Sequence, residues 1–162
     1  MNPGRRQPQH HLVRKAILLS FFSALWISNG LAEECPEESY ILKTQADVEA
    51  LGALGCSQIT KTLFIRGDAI GSVEGLGNVV SVGALSIQAT QLASLKGLEN
   101  PVTAGVLSVD FNTALRDLDS IAGVNVSQAV TLWGNSALEN VDGLFGITEV
   151  TGNLYVFDNP PL

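Results

Sequence analysis

Histidine is nearly absent from this sequence, because the only two, His10 and His11, lie in its first eleven residues. Histidine is the commonest transition-metal ligand and a common general base, so its absence from residues 12–162 argues against both kinds of site. Cysteine is equally scarce, since Cys35 and Cys56 are the only two. Their spacing is not that of a Cys-x-x-Cys motif, which favours one structural disulfide over a metal or redox pair. We therefore expect no metal and no cofactor.

The sequence also lacks an apolar run long enough to span a bilayer. Its most apolar stretch, residues 16–27, is shorter than the roughly 20 residues that a transmembrane helix needs. Arg5, Arg6, Arg14 and Lys15 precede this stretch, and Gly30-Leu31-Ala32 follows it with small residues. This pattern predicts a signal peptide over residues 1–32, and therefore a secreted or cell-surface or envelope protein with no membrane span after cleavage.

Positive charge is scarce once that segment is set aside. All 16 acidic residues lie beyond residue 32, whereas only five of the nine basic residues do, so the remaining chain has a net charge of −11. A surface of this charge repels nucleic acids and anionic membranes. We expect neither as a partner.

What the sequence does have is a repeat. Leu63-Phe64-Ile65 has counterparts that begin at Leu85, Leu107, Val130 and Leu154, in steps of 22, 22, 23 and 24 residues. Each triplet alternates with the period of two that is typical of a β-strand. After each strand come a turn residue, then in four of the repeats two apolar residues three apart, and a glycine or serine followed by another apolar residue. The turn residues Asn112, Asn135 and Asn159 suit left-handed backbone and local hydrogen bonds, which predicts a structural role for them.

A fixed period in the low twenties is typical of a solenoid. The sequence thus predicts a mainly β fold, a β-solenoid of about five 22–24-residue rungs over residues 63–162, with an incomplete last rung. Residues 33–62 are predicted to form a disulfide-tied N-terminal cap. Its short helix begins after Thr44, has Asp47 as the capping-box partner and ends at Gly55.

The repeated phrase Leu-x-Ile/Val-x-x-Asn-x-x-Leu-x-x-Leu-x-Gly-Leu, preceded by Cys35, a short helix and Cys56, resembles the receptor L-domain family. The resemblance covers nearly the whole chain beyond residue 32. It implies a leucine-rich right-handed β-helix that binds extracellular ligands without a cofactor or a reaction. The ligand-contacting residues of that family follow no motif that can be placed on this sequence, and the chain carries no second cysteine pair, so no ligand is implied.

Candidate binding residues lie between the inward-facing residues of the predicted strands. Because side chains alternate along a strand, one outward column would run from Phe64 to Tyr155 and its neighbour from Arg66 to Phe157. Exposed aromatic patches are typical of binding surfaces. This argument selects, as binding candidates, Trp133, Tyr155, Phe157, Thr131, Arg66 and Asp110.

Enzymatic function is not expected. Carboxylate pairs such as Asp117 and Asp119 lie in predicted turns, where acidic side chains ordinarily face water, and nothing places them in a cleft. Asn125-Val126-Ser127 is a glycosylation sequon, which has meaning only in a eukaryotic source.

Two functions remain from the sequence. The first is an exported, non-catalytic recognition or adhesion module that binds an extracellular protein or glycan through the outward sheet face. The second is a structural cell-surface or cell-wall repeat protein without a specific ligand. The open C-terminal end of the repeat array is also a candidate for self-association.

Overall fold

The computed structural model describes residues 33–100 and 103–162. The signal peptide predicted over residues 1–32 lies outside the described residues. The described chain forms one sheet of six parallel strands, whose spatial order is their order in the sequence. The strands are β1 (Tyr40–Leu42), β2 (Gln58–Arg66), β3 (Ser81–Gln88), β4 (Thr103–Asp110), β5 (Asn125–Trp133) and β6 (Leu154–Phe157).

The alternation in the repeated triplets determines which face of the sheet is buried. The five triplets pair in register, so Leu63 aligns with Leu85, Leu85 with Leu107, and so on to Leu154. From β2 to β5 the first and third residues of each triplet are almost fully buried. In β6 their counterparts Leu154 and Val156 are 61% and 47% exposed. The inner face of the sheet therefore forms one side of the core, and this face is uncovered at β6.

The predicted fold class is wrong. Instead of a right-handed β-solenoid of about five rungs, the structure has a single, open, all-parallel sheet. Each repeat contributes one strand, and the apolar segments that follow the strands form turns and short 3-10 helices over Glu74–Leu76, Asp119–Ile121 and Asp142–Leu144. Apolar residues three apart fit the three-residue turn of a 3-10 helix, which brings them to one side. Leu76, Leu118 and Ile121 are buried in this way without forming a second sheet.

The number of strands also differs from the prediction. Strand β1 lies in the segment that the sequence assigned to the cap, and it pairs with β2 through Tyr40–Leu63 and Leu42–Ile65. It begins with Tyr40, whereas each of the five repeated triplets begins with leucine or valine. The sheet therefore has six strands, where the repeats predicted five.

The predicted capping helix is confirmed as α1 (Gln45–Leu54). The Thr44 side chain accepts a hydrogen bond from the Asp47 backbone, and the Asp47 carboxylate accepts one from the backbone N–H of Thr44, so the capping box is complete. Gly55 ends the helix in a left-handed conformation with φ 67°. Val48 and Leu51 are buried against the core. In the described ranges, no helix is both long and apolar enough to cross a membrane.

The predicted disulfide is also confirmed. Cys35 and Cys56 are bonded, with their Cα atoms 5.0 Å apart and a sequence separation of 21. The bond joins the segment before β1 to the segment between α1 and β2. It therefore closes a loop that contains β1 and the whole of α1.

Replacing both cysteines by serine is expected to lower the free energy of unfolding by roughly 3 kcal/mol, because the unfolded chain gains the freedom of an open loop of about twenty residues. Urea unfolding of the parent and the Cys35→Ser/Cys56→Ser variant measures this difference. The parent under reducing conditions is the matched control, and it should behave like the variant. A variant as stable as the oxidised parent would contradict the prediction.

A second expectation concerns acid. The pKa of Asp47 is lowered from its ordinary value of 3.8, first by the hydrogen bond from the Lys43 backbone and then by hydrogen bonds with Thr44. A lowered folded-state pKa stabilises the fold above the unfolded-state pKa, and this contribution is lost as the pH falls through the folded-state value. Asp47→Ala should therefore lower the melting temperature at pH 7, and the charge-dependent part of that effect should disappear in acid.

Thermal unfolding of parent and variant between pH 7 and pH 2 tests this dependence. Glu49→Ala, on the same helix, is a control that also removes one carboxylate. If the difference between the parent and Asp47→Ala did not shrink below the ordinary pKa, the Asp47 charge would not contribute to the cap.

Candidate functional site

The outer face of the sheet carries two columns of side chains, as the alternation predicts. Strand pairing aligns one residue from each repeat in each column. The first column consists of Phe64, Ser86, Ser108, Thr131 and Tyr155. The second consists of Arg66, Gln88, Asp110, Trp133 and Phe157.

The six predicted binding residues are divided between two ends of this face. Arg66 lies on β2, where its guanidinium carbon is 5.1 Å from the centre of the Phe64 ring. A cation at this distance from an aromatic face is attracted to it, so Arg66 is held at its own end of the sheet. Trp133, Phe157, Thr131 and Tyr155 lie together on β5 and β6. The structure thus brings five predicted residues, counting Asp110 on β4, onto three adjacent strands and leaves Arg66 apart.

Three aromatic rings form a contiguous row, which we call the aromatic ladder: Phe111, Trp133 and Phe157. The ring centres of Phe111 and Trp133 are 4.4 Å apart and tilted, and those of Trp133 and Phe157 are 5.1 Å apart and stacked. The indole N–H of Trp133 donates to an Asp158 oxygen at 3.1 Å. Each ring is about 40% exposed, so each combines contact with its neighbour and an accessible surface. Tyr155 lies in the other column, opposite Thr131.

Phe111 is the functional candidate that sequence reasoning missed. It follows the outward column and has a left-handed backbone with φ 57°. Gly67 and Gly134 occupy the corresponding place in two other repeats, also with positive φ. A bulky residue in this region costs about 1 to 3 kcal/mol and is held only by its surroundings. The signal in the sequence was an aromatic residue immediately before a turn asparagine.

The strained turns have a structural purpose, because they direct a row of buried amides into the core. We call this row the asparagine ladder. Its first member is Thr90, which has a hydroxyl in place of the amide, and the others are Asn112, Asn135 and Asn159; all four are buried. The Oδ1 atom of each asparagine accepts a hydrogen bond from the backbone N–H of the preceding member, in all three cases at 3.0 Å. Each Nδ2 donates to a backbone carbonyl in the preceding repeat, the acceptors being those of Ile87, Val109 and Leu132.

The predicted structural role of these asparagines is confirmed, but their predicted left-handed backbone is not. Positive φ falls on the residue before each asparagine, as at Phe111, Gly134 and Asp158. The asparagines act through their side chains, which bond mainly to neighbouring repeats, although Asn159 also donates locally to the Phe157 carbonyl. The sequence predicted the left-handed conformation at the asparagines, one residue after the position where it occurs.

Asp110 differs from the other predicted residues because it is only 9% exposed. Its Oδ2 atom accepts a hydrogen bond from the Ser108 hydroxyl. Its Oδ1 atom is buried and has no hydrogen-bond partner. In the register of the sheet, Asp110 lies between Gln88 and Trp133. The aromatic ladder therefore lies next to a carboxylate oxygen that has no hydrogen-bond donor.

Other possible sites are weaker. In residues 33–100 and 103–162 no group of three or more histidine, cysteine, aspartate or glutamate side chains could hold a metal ion. An apolar groove of about 200 Å³ lies beside β6 and is lined in part by Leu144, Ile147 and Leu154. Asn125 is exposed at the start of β5, where a glycan could be attached. Self-association through the β6 end stays a prediction.

The asparagine ladder leads to a stability prediction. Asn135→Ala removes the acceptor used by the Asn112 backbone and the donor to Val109, which leaves several buried polar groups unpaired. The expected loss in the free energy of unfolding is roughly 2 to 5 kcal/mol. In protein made without glycosylation, Asn125→Ala is the matched control, and its effect should stay within about 0.5 kcal/mol because the side chain is exposed. Denaturant unfolding measures the stability of both variants. Similar losses in the two would contradict the structural role of the asparagine ladder.

Comparison with known proteins found no matching family model, no similar curated protein and no similar solved structure.

Proposed function

We propose that the protein is an exported, non-catalytic recognition module that binds an extracellular protein or glycan through the outer face of its sheet. The observation that carries this proposal is the aromatic ladder. Three large rings in one exposed row supply contact area, which is the role that aromatic residues play at binding surfaces.

The choice of phenylalanine at position 111 supports a binding role over a purely structural one, because the left-handed turn that recurs in every repeat does not require a bulky side chain. If the ring only supported the sheet, glycine would serve better at this left-handed position, as at Gly67 and Gly134. A Cβ atom added to Gly134 would lie 2.7 Å from the Phe111 ring, so the glycine also leaves space for that ring. Residues held in strained conformations are concentrated at functional sites. Phe111 therefore adds exposed aromatic surface at the cost of a strained backbone, and Gly134 leaves room for its ring.

Export is supported by two independent features. The predicted signal peptide is one, and the intramolecular disulfide between Cys35 and Cys56 is the other, because such bonds persist in oxidising compartments. We further propose a relationship to the receptor L-domain family. Its support is the repeated leucine phrase together with the cysteine, helix and cysteine that precede it.

The competing proposal, a structural surface protein with no specific ligand, makes a different prediction about the ladder. Under it, the rings only pair across strands and stabilise the sheet. Loss of the rings would then lower stability, and the parent itself would show no specific binding.

The test removes two rings at once. Trp133→Ala/Phe157→Ala should weaken binding about tenfold or more, because exposed aromatic anchors carry much of the energy of an interface. Binding of the full chain to defined glycans and to basic, neutral and acidic peptides is measured by titration calorimetry. Phe145→Ala is the matched control, since Phe145 is 94% exposed and lies away from the ladder.

The outcome separates the two functions. Binding that is lost in the double variant and kept in Phe145→Ala supports recognition. If the folded double variant binds as tightly as the parent, or if the parent binds none of the probes, the recognition proposal is wrong.

A further inference from the structure

We propose that the aromatic ladder and Asp110 together bind a basic side chain, lysine or arginine, from an extended segment of a partner protein. This inference rests on the proposed recognition function and specifies its ligand.

The first argument is the state of the Asp110 carboxylate. A carboxylate accepts about four hydrogen bonds, and a buried one that lacks partners is costly. Ser108 satisfies one oxygen, whereas Oδ1 has no donor. A ligand that donates a charge-assisted hydrogen bond to Oδ1 would remove this cost. Ammonium and guanidinium groups are the strongest donors of this kind.

The second argument is what surrounds that oxygen. Trp133 follows Asp110 in the register of the sheet, and Phe111 follows it in the chain. Aromatic faces attract cations, tryptophan most strongly. Asp158 adds a second carboxylate beyond Trp133, bonded to the indole N–H. A basic side chain that lies along the ladder would therefore contact aromatic faces between two negative charges.

The same face of the sheet already contains one contact between a basic side chain and an aromatic ring. At the opposite end of the second column, the guanidinium of Arg66 lies over the Phe64 ring. Arg66 and Asp110 are separated by the strand that carries Gln88. Strands are about 4.8 Å apart, so the backbones of Arg66 and Asp110 are about 10 Å apart, and the Arg66 guanidinium lies over Phe64 rather than at Asp110.

The third argument is charge, and it favours a basic peptide over a glycan. Beyond residue 32 there are 16 acidic and five basic residues. Three of the five basic residues are already paired with acids, in Lys61–Glu38, Lys96–Glu74 and Arg116–Glu139. The resulting negative field would speed the approach of a basic partner. A neutral glycan could donate a hydroxyl hydrogen bond to Asp110, but it would gain nothing from this field and would bring no positive charge to the carboxylate.

Access to Oδ1 requires a local movement. Gln88 and Ser108 are partly exposed and lie next to Asp110, and the Gln88 side chain has three rotatable bonds. Its rotation would open a path to the carboxylate beside Trp133. We therefore expect binding to change the surroundings of the Trp133 indole.

The experiment uses a twelve-residue peptide of alternating lysine or arginine and serine as the probe. An acidic peptide of the same length and a neutral β-glucan oligosaccharide are tested beside it. In the full chain with Trp26→Phe, Trp133 is the only tryptophan, so its fluorescence reports on the site. Affinity is measured by fluorescence and by calorimetry at two salt concentrations.

Asp110→Asn is expected to weaken binding of the basic peptide about tenfold or more, because it replaces a charge-assisted acceptor by a neutral one of the same shape. Asp142→Asn is the matched control, since it makes the same change in net charge at an exposed turn and should alter the affinity less than about twofold. Equal losses in the two variants would show attraction by net charge alone and overturn the proposal.

Phe111→Gly is a second variant that should fold, since glycine occupies the same left-handed position in two other repeats. It removes one aromatic wall and is expected to weaken peptide binding about threefold with no loss of melting temperature. Unchanged affinity in both Phe111→Gly and Asp110→Asn would contradict the proposed site.

The probes distinguish failure of this inference from failure of the proposed function. If the oligosaccharide binds at the ladder and Asp110→Asn leaves that binding unchanged, recognition stands and the basic-ligand proposal is wrong. If no probe binds, both are wrong.

Discussion

The rest of the structure depends on the hydrogen bonds of the buried asparagine ladder. A buried amide must find both donors and acceptors, and here it finds them mainly in the neighbouring repeats. Asn112, Asn135 and Asn159 therefore hold adjacent strands in one register, because a slip by one residue would leave these amides unpaired. That register in turn aligns the two outward columns.

The turn that directs each asparagine inward has an effect on the outer surface. The residue before the asparagine is forced into the left-handed region, and its side chain is set beside the outward column. Glycine, alanine, phenylalanine, glycine and aspartate occupy this place in the five successive repeats. Phe111 and Asp158 use it to extend and to anchor the row of rings around Trp133. A constraint that serves the core thus creates the positions on which the proposed site is built.

Local patterns in the sequence were enough to predict the buried and exposed faces of the strands, the capped helix and the disulfide. They failed where the outcome depends on backbone geometry or pairing. The apolar residues three apart after each strand were equally compatible with a further sheet, and the open sheet with 3-10 helices decided against a solenoid. Strand β1 begins with a tyrosine instead of the leucine or valine of the repeated triplets, and it is recognised by its pairing with β2. Phe111 was missed because its outward position follows from a left-handed turn, and the burial of Asp110 depends on neighbours that the sequence alone does not position.

The agreement between strand order and sequence order also bears on how the chain folds. Each strand pairs only with the strands immediately before and after it, as from Leu63 to Leu85 and from Leu85 to Leu107. Forming any one pair therefore closes a loop of about 22 residues, and the entropy of closing loops grows only with the logarithm of their length. No pair of strands has to wait for distant parts of the chain to meet, so folding can start at one pair and extend strand by strand. An insertion in one turn would lengthen one of these loops and leave the closure of the others unchanged.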